Sequence, residues 1–62
     1  MTYEKLLEKV EAIYTINGDF SHACHYIKGL YGLSNEFMSQ NFDRLNGDML
    51  AKYPSLYFGG II

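Results

Sequence analysis

A chain of 62 residues is long enough for one small domain, and its hydrophobic content of 48% excludes a disordered composition. Its formal charge is −2, and its five basic side chains are scattered along the chain. This disfavours nucleic-acid binding, because recognition of phosphates requires clustered positive charge. The charged N-terminal stretch does not read as a signal peptide, and no apolar run approaches the ~20 residues of a membrane span. We therefore predict a soluble, cytoplasmic protein without membrane contact.

The first predicted helix runs from Tyr3 to Thr15, with Thr2 as its N-cap. At about 100° per residue, its side chains separate into two faces. The apolar face comprises Tyr3, Leu6, Leu7, Val10, Ile13 and Tyr14. The opposite face comprises Glu4, Glu8 and Glu11, flanked by Lys5 and Lys9. Such an acidic stripe is typical of a solvated helix surface.

A turn at Asn17-Gly18 separates this helix from the second, because both residues tolerate positive φ. The second helix is predicted from Phe20 to Leu30, capped by Asp19 or Ser21. Its apolar face comprises Phe20, Ala23, Cys24, Ile27, Leu30 and Tyr31. A short connection then requires the third helix to pack close by.

The second helix contains the run His22-Ala23-Cys24-His25, whose side chains are typical zinc ligands. Cys24 lies on the apolar face and the two histidines point away from it, so one helix cannot direct all three at one ion. The same geometry argues against a catalytic Cys–His pair. We predict no metal, no cofactor and no catalytic residue. The alternative is a shared site in which His22 and His25 supply two ligands and another chain supplies the rest.

The third helix is predicted from Asn35 to about Leu45, with Ser34 as its N-cap. Asn46-Gly47 predicts a turn and then a short fourth helical turn, residues 48–53. Alternatively, the third helix continues through Gly47, at a cost of about 1 kcal/mol relative to alanine. Its core face comprises Met38, Phe42 and Leu45, with Met49 added if the helix continues. Phe37 lies off this face.

Pro54 ends the helical region, because proline disfavours a helical conformation at the residue before it. We predict a bundle domain over residues 1–52 and an extended, apolar C-terminal tail over residues 53–62. The tail carries no charged side chain and would be unfavourable in water. It is therefore expected to pack on its own bundle, on a second copy or on a partner.

Two helices joined by a short turn after a preceding helix also match small helix-turn-helix DNA-binding domains. The exposed side of the third helix carries Gln40 and Arg44, which could read bases. Glu36 and Asp43 would face phosphates on the same side, with Arg44 as the one cation to offset them. A small DNA-binding regulator is therefore the alternative prediction.

Together these patterns predict an all-α, helix-turn-helix-like three-helix bundle that binds protein and is not an enzyme. Six tyrosines and four phenylalanines exceed what three short helices need internally, and aromatic residues are enriched at protein interfaces. The predicted interface residues are Tyr26, Phe37, Tyr53, Leu56, Tyr57, Phe58, Ile61 and Ile62. We expect a homodimer and a larger protein partner, for which the chain would be an inhibitor or adaptor. Its size and composition are typical of accessory proteins of phages or other mobile elements.

Overall fold

The structure, a computed structural model, describes residues 1–56 and contains three α-helices over that range. Helix α1 spans Tyr3–Asn17, α2 spans Phe20–Tyr31 and α3 spans Asn35–Lys52. The predicted all-α three-helix bundle is confirmed. None of these helices is both long and apolar enough to cross a membrane.

Short polar residues begin each helix, and glycines end the first two. Each cap side chain accepts a hydrogen bond from the backbone N–H three residues later: Thr2 from Lys5 (3.2 Å), Asp19 from His22 (3.0 Å) and Ser34 from Phe37 (3.0 Å). Gly18 and Gly32 follow α1 and α2 in the left-handed conformation, with φ of 72° and 63°. Side chains other than glycine rarely adopt this conformation, so these two residues fix where the helices end.

Helix α3 runs without interruption through Gly47 to Lys52. This corrects the predicted end at Leu45 and the separate fourth helical turn, and it confirms the alternative of one continuous helix. The turn predicted at Asn46-Gly47 is absent because both flanks of the glycine are held by the core. Leu45 and Met49 are fully buried. Burying two such side chains contributes about 1.5–3 kcal/mol each, more than the about 1 kcal/mol that a helical glycine costs.

The core lies where the three helices and the start of the tail meet. Its buried members are Tyr3, Leu6, Val10, Phe20, Ala23, Cys24, Ile27, Leu45, Met49 and Leu56. Two predictions about α3 were wrong: Phe42 is 40% exposed and packs against Phe20 with ring centroids 6.0 Å apart, whereas Phe37 is partly buried against the core. The narrow arc drawn for a helix ending at Leu45 misplaced both rings.

The last turn of α2 also departs from its predicted apolar face. Leu30 and Tyr31 are 58% and 44% exposed. A helical wheel gives the side of a helix but not how far its neighbour extends. Ile27 is the last α2 residue that the core buries, so the apolar side chains beyond it lie in solvent.

The first residues of the tail fold back on the bundle. The backbone N–H of Tyr53 donates to the Met49 carbonyl at 2.7 Å, and that of Leu56 donates to the Tyr53 carbonyl at 3.0 Å. Leu56 is 5% exposed and belongs to the core. The remainder of the predicted tail, residues 57–62, lies outside the described residues.

Candidate protein-binding surface

One side of α1 faces α3 and is joined to it by polar contacts. The hydroxyl of Tyr3 donates a hydrogen bond to Asp48, and the Arg44 guanidinium lies 4.0 Å from the centroid of the Tyr3 ring. Burial of the ring, reinforced by this hydrogen bond, raises the pKa of Tyr3 to about 12. The phenol is therefore neutral, and remains a donor, throughout the physiological range.

Two turns further along the same side, the Glu11 carboxylate receives two donors. The ammonium of Lys52 lies 2.9 Å from Oε2, and the Tyr53 hydroxyl donates to the same oxygen at 2.7 Å. The hydrogen bond from Lys52 is the main cause that lowers the pKa of Glu11. These pairings advance in the same chain direction as those of Tyr3, so α1 and the second half of α3 run side by side and parallel.

The other side of α1 borders an open groove of about 460 Å³, which we call the lysine groove. It is lined by Met1, Lys5, Lys9, Tyr31 and Leu33. Among residues 1–56, no carboxylate lines it and neither lysine makes an ion pair. Two like charges one turn apart on a helix destabilise it by about 0.2–0.5 kcal/mol. The lysines therefore contribute nothing evident to the fold in the part of the chain described.

Exposed apolar side chains continue from this groove along α2. Leu30 directly precedes Tyr31, and Tyr26 lies one turn before Leu30 with 48% of its surface exposed. The Tyr26 ring stacks on His22, with centroids 6.2 Å apart and an interplanar angle of 22°. His22, Tyr26 and Leu30 follow one another at intervals of four residues and so form one stripe on the helix surface. The rings of His22 and Tyr26 each combine an aromatic body with a polar edge.

A second groove of about 340 Å³ lies between α2 and the start of α3. Its lining residues are Cys24, His25, Lys28, Asn35, Met38 and Ser39. Cys24 and His25 thus border one groove, which the helical wheel did not anticipate, although Cys24 is buried and His25 is exposed as expected. Burial raises the pKa of the Cys24 thiol to about 11, and a protonated thiol is a poor nucleophile. A ring nitrogen of His25 lies 2.8 Å from the Ser21 carbonyl oxygen.

The histidine–cysteine run is not gathered into a ligand set. Cys24 belongs to the core while His22 and His25 are exposed on the outer side of α2. Within residues 1–56 no group of three or more His, Cys, Asp or Glu side chains could hold a metal ion.

The structure does not place the predicted interface residues on one exposed surface within the described residues. Tyr26 is exposed, Phe37 is partly buried, and Tyr53 packs on Tyr14 with ring centroids 5.0 Å apart. Leu56 is a core residue. The other four predicted residues, Tyr57, Phe58, Ile61 and Ile62, lie outside the described residues.

Sequence reasoning did not identify the lysine groove. A usable signal was present, since Lys5 and Lys9 stand one turn apart and away from the glutamate stripe.

No protein-family model, curated protein or solved structure gives a significant match to this chain.

Proposed function

We propose that this chain is a non-enzymatic protein-binding module that acts by covering a surface of a larger protein, as an inhibitor or adaptor does. The observation that carries this proposal is the concentration of exposed apolar surface at one end of the α1–α2 pair. Met1 and Tyr31 line one groove, and the exposed Leu30 directly precedes Tyr31 in the chain. Exposed apolar and aromatic side chains grouped beside charged ones are characteristic of protein interfaces.

The chemistry of the described residues supports a binding role over an enzymatic one. Cys24, the one thiol in the sequence, is buried with a raised pKa. The most strongly engaged carboxylate on α1, Glu11, is occupied by Lys52 and Tyr53. A general acid or base requires a group held near its working pKa at an accessible position, and neither of these residues meets that requirement.

DNA binding through α3, the alternative function, is less well supported. Arg44, the cation expected to read bases, stacks on the Tyr3 ring, so docking it into a groove would disrupt the contact between α1 and α3. Glu36 and Asp43 remain exposed on the same helix. Recognition of DNA without a free cation on the reading helix lacks the phosphate neutralisation that supplies most of the affinity.

The proposal is tested by affinity purification from nuclease-treated lysate of the native host, with three matched baits. The wild-type chain and an Ile16→Ser variant should retain the same stoichiometric protein, because Ile16 is 80% exposed at the opposite end of α1. A Leu30→Ser/Tyr31→Ser variant should lose it while keeping the helical circular dichroism of the wild type. Recovery of no protein, or equal recovery by all three baits, would contradict the proposal. If the nuclease is omitted and the chain then retains DNA that high salt releases, the DNA-binding function would be favoured instead.

A further inference from the structure

Building on the proposed function, we infer that the lysine groove docks an acidic segment of a different protein, one that presents an apolar or aromatic side chain next to its carboxylates. The groove would take the apolar side chain between Tyr31 and Leu33, and Lys5 and Lys9 would pair with the flanking carboxylates. Three features identify this class of partner: the apolar lining of the groove, its charge, and the symmetry that a contact between two copies would require.

The apolar lining of the groove is held in place by the end of α2. After the left-handed Gly32, the backbone N–H of Leu33 donates to the Lys28 carbonyl at 2.9 Å, which closes the helix in a Schellman arrangement. Leu33 also packs against the core. A volume of about 460 Å³ falls within the range of about 300–1,000 Å³ of known ligand pockets, and the open shape admits a chain segment.

The charge of the groove selects a carboxylate-bearing segment. Lys5 and Lys9 present two ammonium groups from one face of α1. No residue within 1–56 adds a carboxylate to the lining or forms an ion pair with either lysine. The adjoining face of α1 carries Glu4 and Glu8, both exposed. A nucleic acid or an anionic membrane presents phosphates over a wide area and would meet these glutamates as well. A short segment with two carboxylates matches the lysines alone.

Symmetry argues against a second copy of this chain as the occupant. In a two-fold dimer the same surface occurs on both sides of the interface, and residues at the axis face their own copies. With the axis at the groove, Lys5 and Lys9 of one copy would therefore face those of the other. Like charges facing one another across an interface are unfavourable. The predicted homodimer, if it forms, would therefore use a different surface and leave the lysine groove free.

The experiment is a selection of 16-residue peptides from a random phage-displayed library on the intact chain, followed by affinity measurement with one synthetic winner by fluorescence anisotropy. Enriched peptides should combine Asp or Glu with an aromatic or aliphatic residue. A Lys5→Gln/Lys9→Gln variant should bind the winner at least ~10-fold more weakly, and a Tyr31→Ser variant should also lose affinity. Lys28→Gln, which removes a lysine from the other groove, should bind like the wild type. Raising the salt concentration should weaken the wild-type complex, because partly exposed ion pairs are screened.

Several results would overturn the inference. These are enrichment of no peptide, enrichment of peptides without acidic residues, or acidic peptides whose affinity is unchanged in the Lys5→Gln/Lys9→Gln variant. Lysine-dependent binding of a DNA duplex or of phosphatidylserine vesicles at low salt would reassign the groove to phosphate. In each case the proposed function is decided separately by the three-bait purification, which depends on Leu30 and Tyr31 and not on the lysines. If the purification retains a protein whose binding does not depend on Lys5 and Lys9, the chain is still a binding module, but its contact surface is not the lysine groove.

Discussion

The two sides of α1 differ in what their charged groups do. On the side that faces α3, Glu11 receives the ammonium of Lys52 and the hydroxyl of Tyr53. On the side that borders the lysine groove, Lys5 and Lys9 make no ion pair within residues 1–56 and stand beside exposed apolar surface. The first side therefore contributes to folding, whereas the second leaves two lysines without an ion pair within residues 1–56 beside exposed apolar surface, which the proposed partner contact would use. One amphipathic helix can thus use the charges of one flank in the fold and leave those of the other flank unpaired within the described residues.

The largest expected effect lies beneath both sides, in the core that they share. Leu6 is fully buried, so Leu6→Ala should lower the free energy of unfolding by about 2–5 kcal/mol. A core of this size rarely supplies more than about 3–5 kcal/mol, so much of the variant should be unfolded at 25 °C. Leu30→Ala, the matched change in a leucine that is 58% exposed, should stay within about 0.5 kcal/mol of the wild type. Urea denaturation followed by circular dichroism measures both, and equal losses would invalidate the distinction.

The α3-facing side is tested next by removing one hydroxyl. Tyr3→Phe keeps the ring under Arg44 but loses the hydrogen bond to Asp48, which should lower the free energy of unfolding by about 0.5–1.5 kcal/mol at pH 7. The pKa of Tyr3 is raised from about 10 when unfolded to about 12 when folded, so the phenol stabilises the fold fully below pH 10 and loses this effect as the pH rises toward 12.

The gap in stability between wild type and Tyr3→Phe should therefore close between pH 10 and pH 12. Other groups that titrate in this range are common to both chains and cancel in the difference. Denaturation curves at half-unit pH intervals measure it. A gap that stays constant over this range would show that the hydroxyl is not held neutral by the contact with α3.

The second half of α3 offers a change in the opposite direction. Gly47 is helical, with open space where a Cβ would be, so Gly47→Ala should raise the free energy of unfolding by about 0.5–1 kcal/mol. Gly18→Ala is the matched control: that site is equally open, but its φ of 72° should make the same substitution destabilising. Thermal unfolding of the two variants should thus shift in opposite directions. A destabilising Gly47→Ala would mean that α3 bends at this residue and that its contact with α1 needs the bend.

Local sequence predicts the starts of these helices well, because capping depends on residues three apart. Thr2 and Ser34 cap as predicted, and Asp19 was one of the two candidates for α2. The end of α3 could not be predicted in this way. Its continuation through Gly47 depends on burial against α1 and α2, and such contacts between distant residues override a local turn signal.

The spacing of Lys5 and Lys9 indicates two lysines on one side of α1, but the groove that they line could not be predicted, for a related reason. It joins residues 5 and 9 of one helix to residues 31 and 33 beyond the next, and helical periodicity carries no information about that distance. The partners of Glu11 are likewise 41 and 42 residues away in the chain. Tyr53 was predicted to be an interface residue because the sequence of the tail does not reveal that its hydroxyl donates to Glu11 on α1.

A smaller effect is expected from Glu11 itself. Glu11→Gln should lower the urea midpoint at pH 7 by less than Gly47→Ala raises it, because Lys52 is 61% exposed and exposed ion pairs contribute little. The pKa of Glu11 is lowered in the folded state, chiefly by Lys52, so its contribution is present above about pH 4.3 and is lost as the pH falls further. The difference between wild type and Glu11→Gln should therefore shrink as the pH falls below this value. Glu8→Gln, in an exposed glutamate without an ion pair in residues 1–56, is the matched control and should change the urea midpoint at pH 7 less than Glu11→Gln does.

The smallest expected effect belongs to the groove side and has the opposite sign. Lys9→Gln relieves the repulsion from Lys5 one turn away and should raise the free energy of unfolding by about 0.2–0.5 kcal/mol, an increase that disappears in 1 M salt. Lys28→Gln is the control, because Lys28 lies in the last turn of α2, where positive charge is favourable, and its removal should destabilise. Urea denaturation at low and high salt separates the two. If Lys9→Gln instead destabilises, the stem of Lys9 packs in the groove and the residue is structural. If it stabilises, the chain retains a lysine that weakens its own fold, which is what a residue kept for contact with an acidic partner should do.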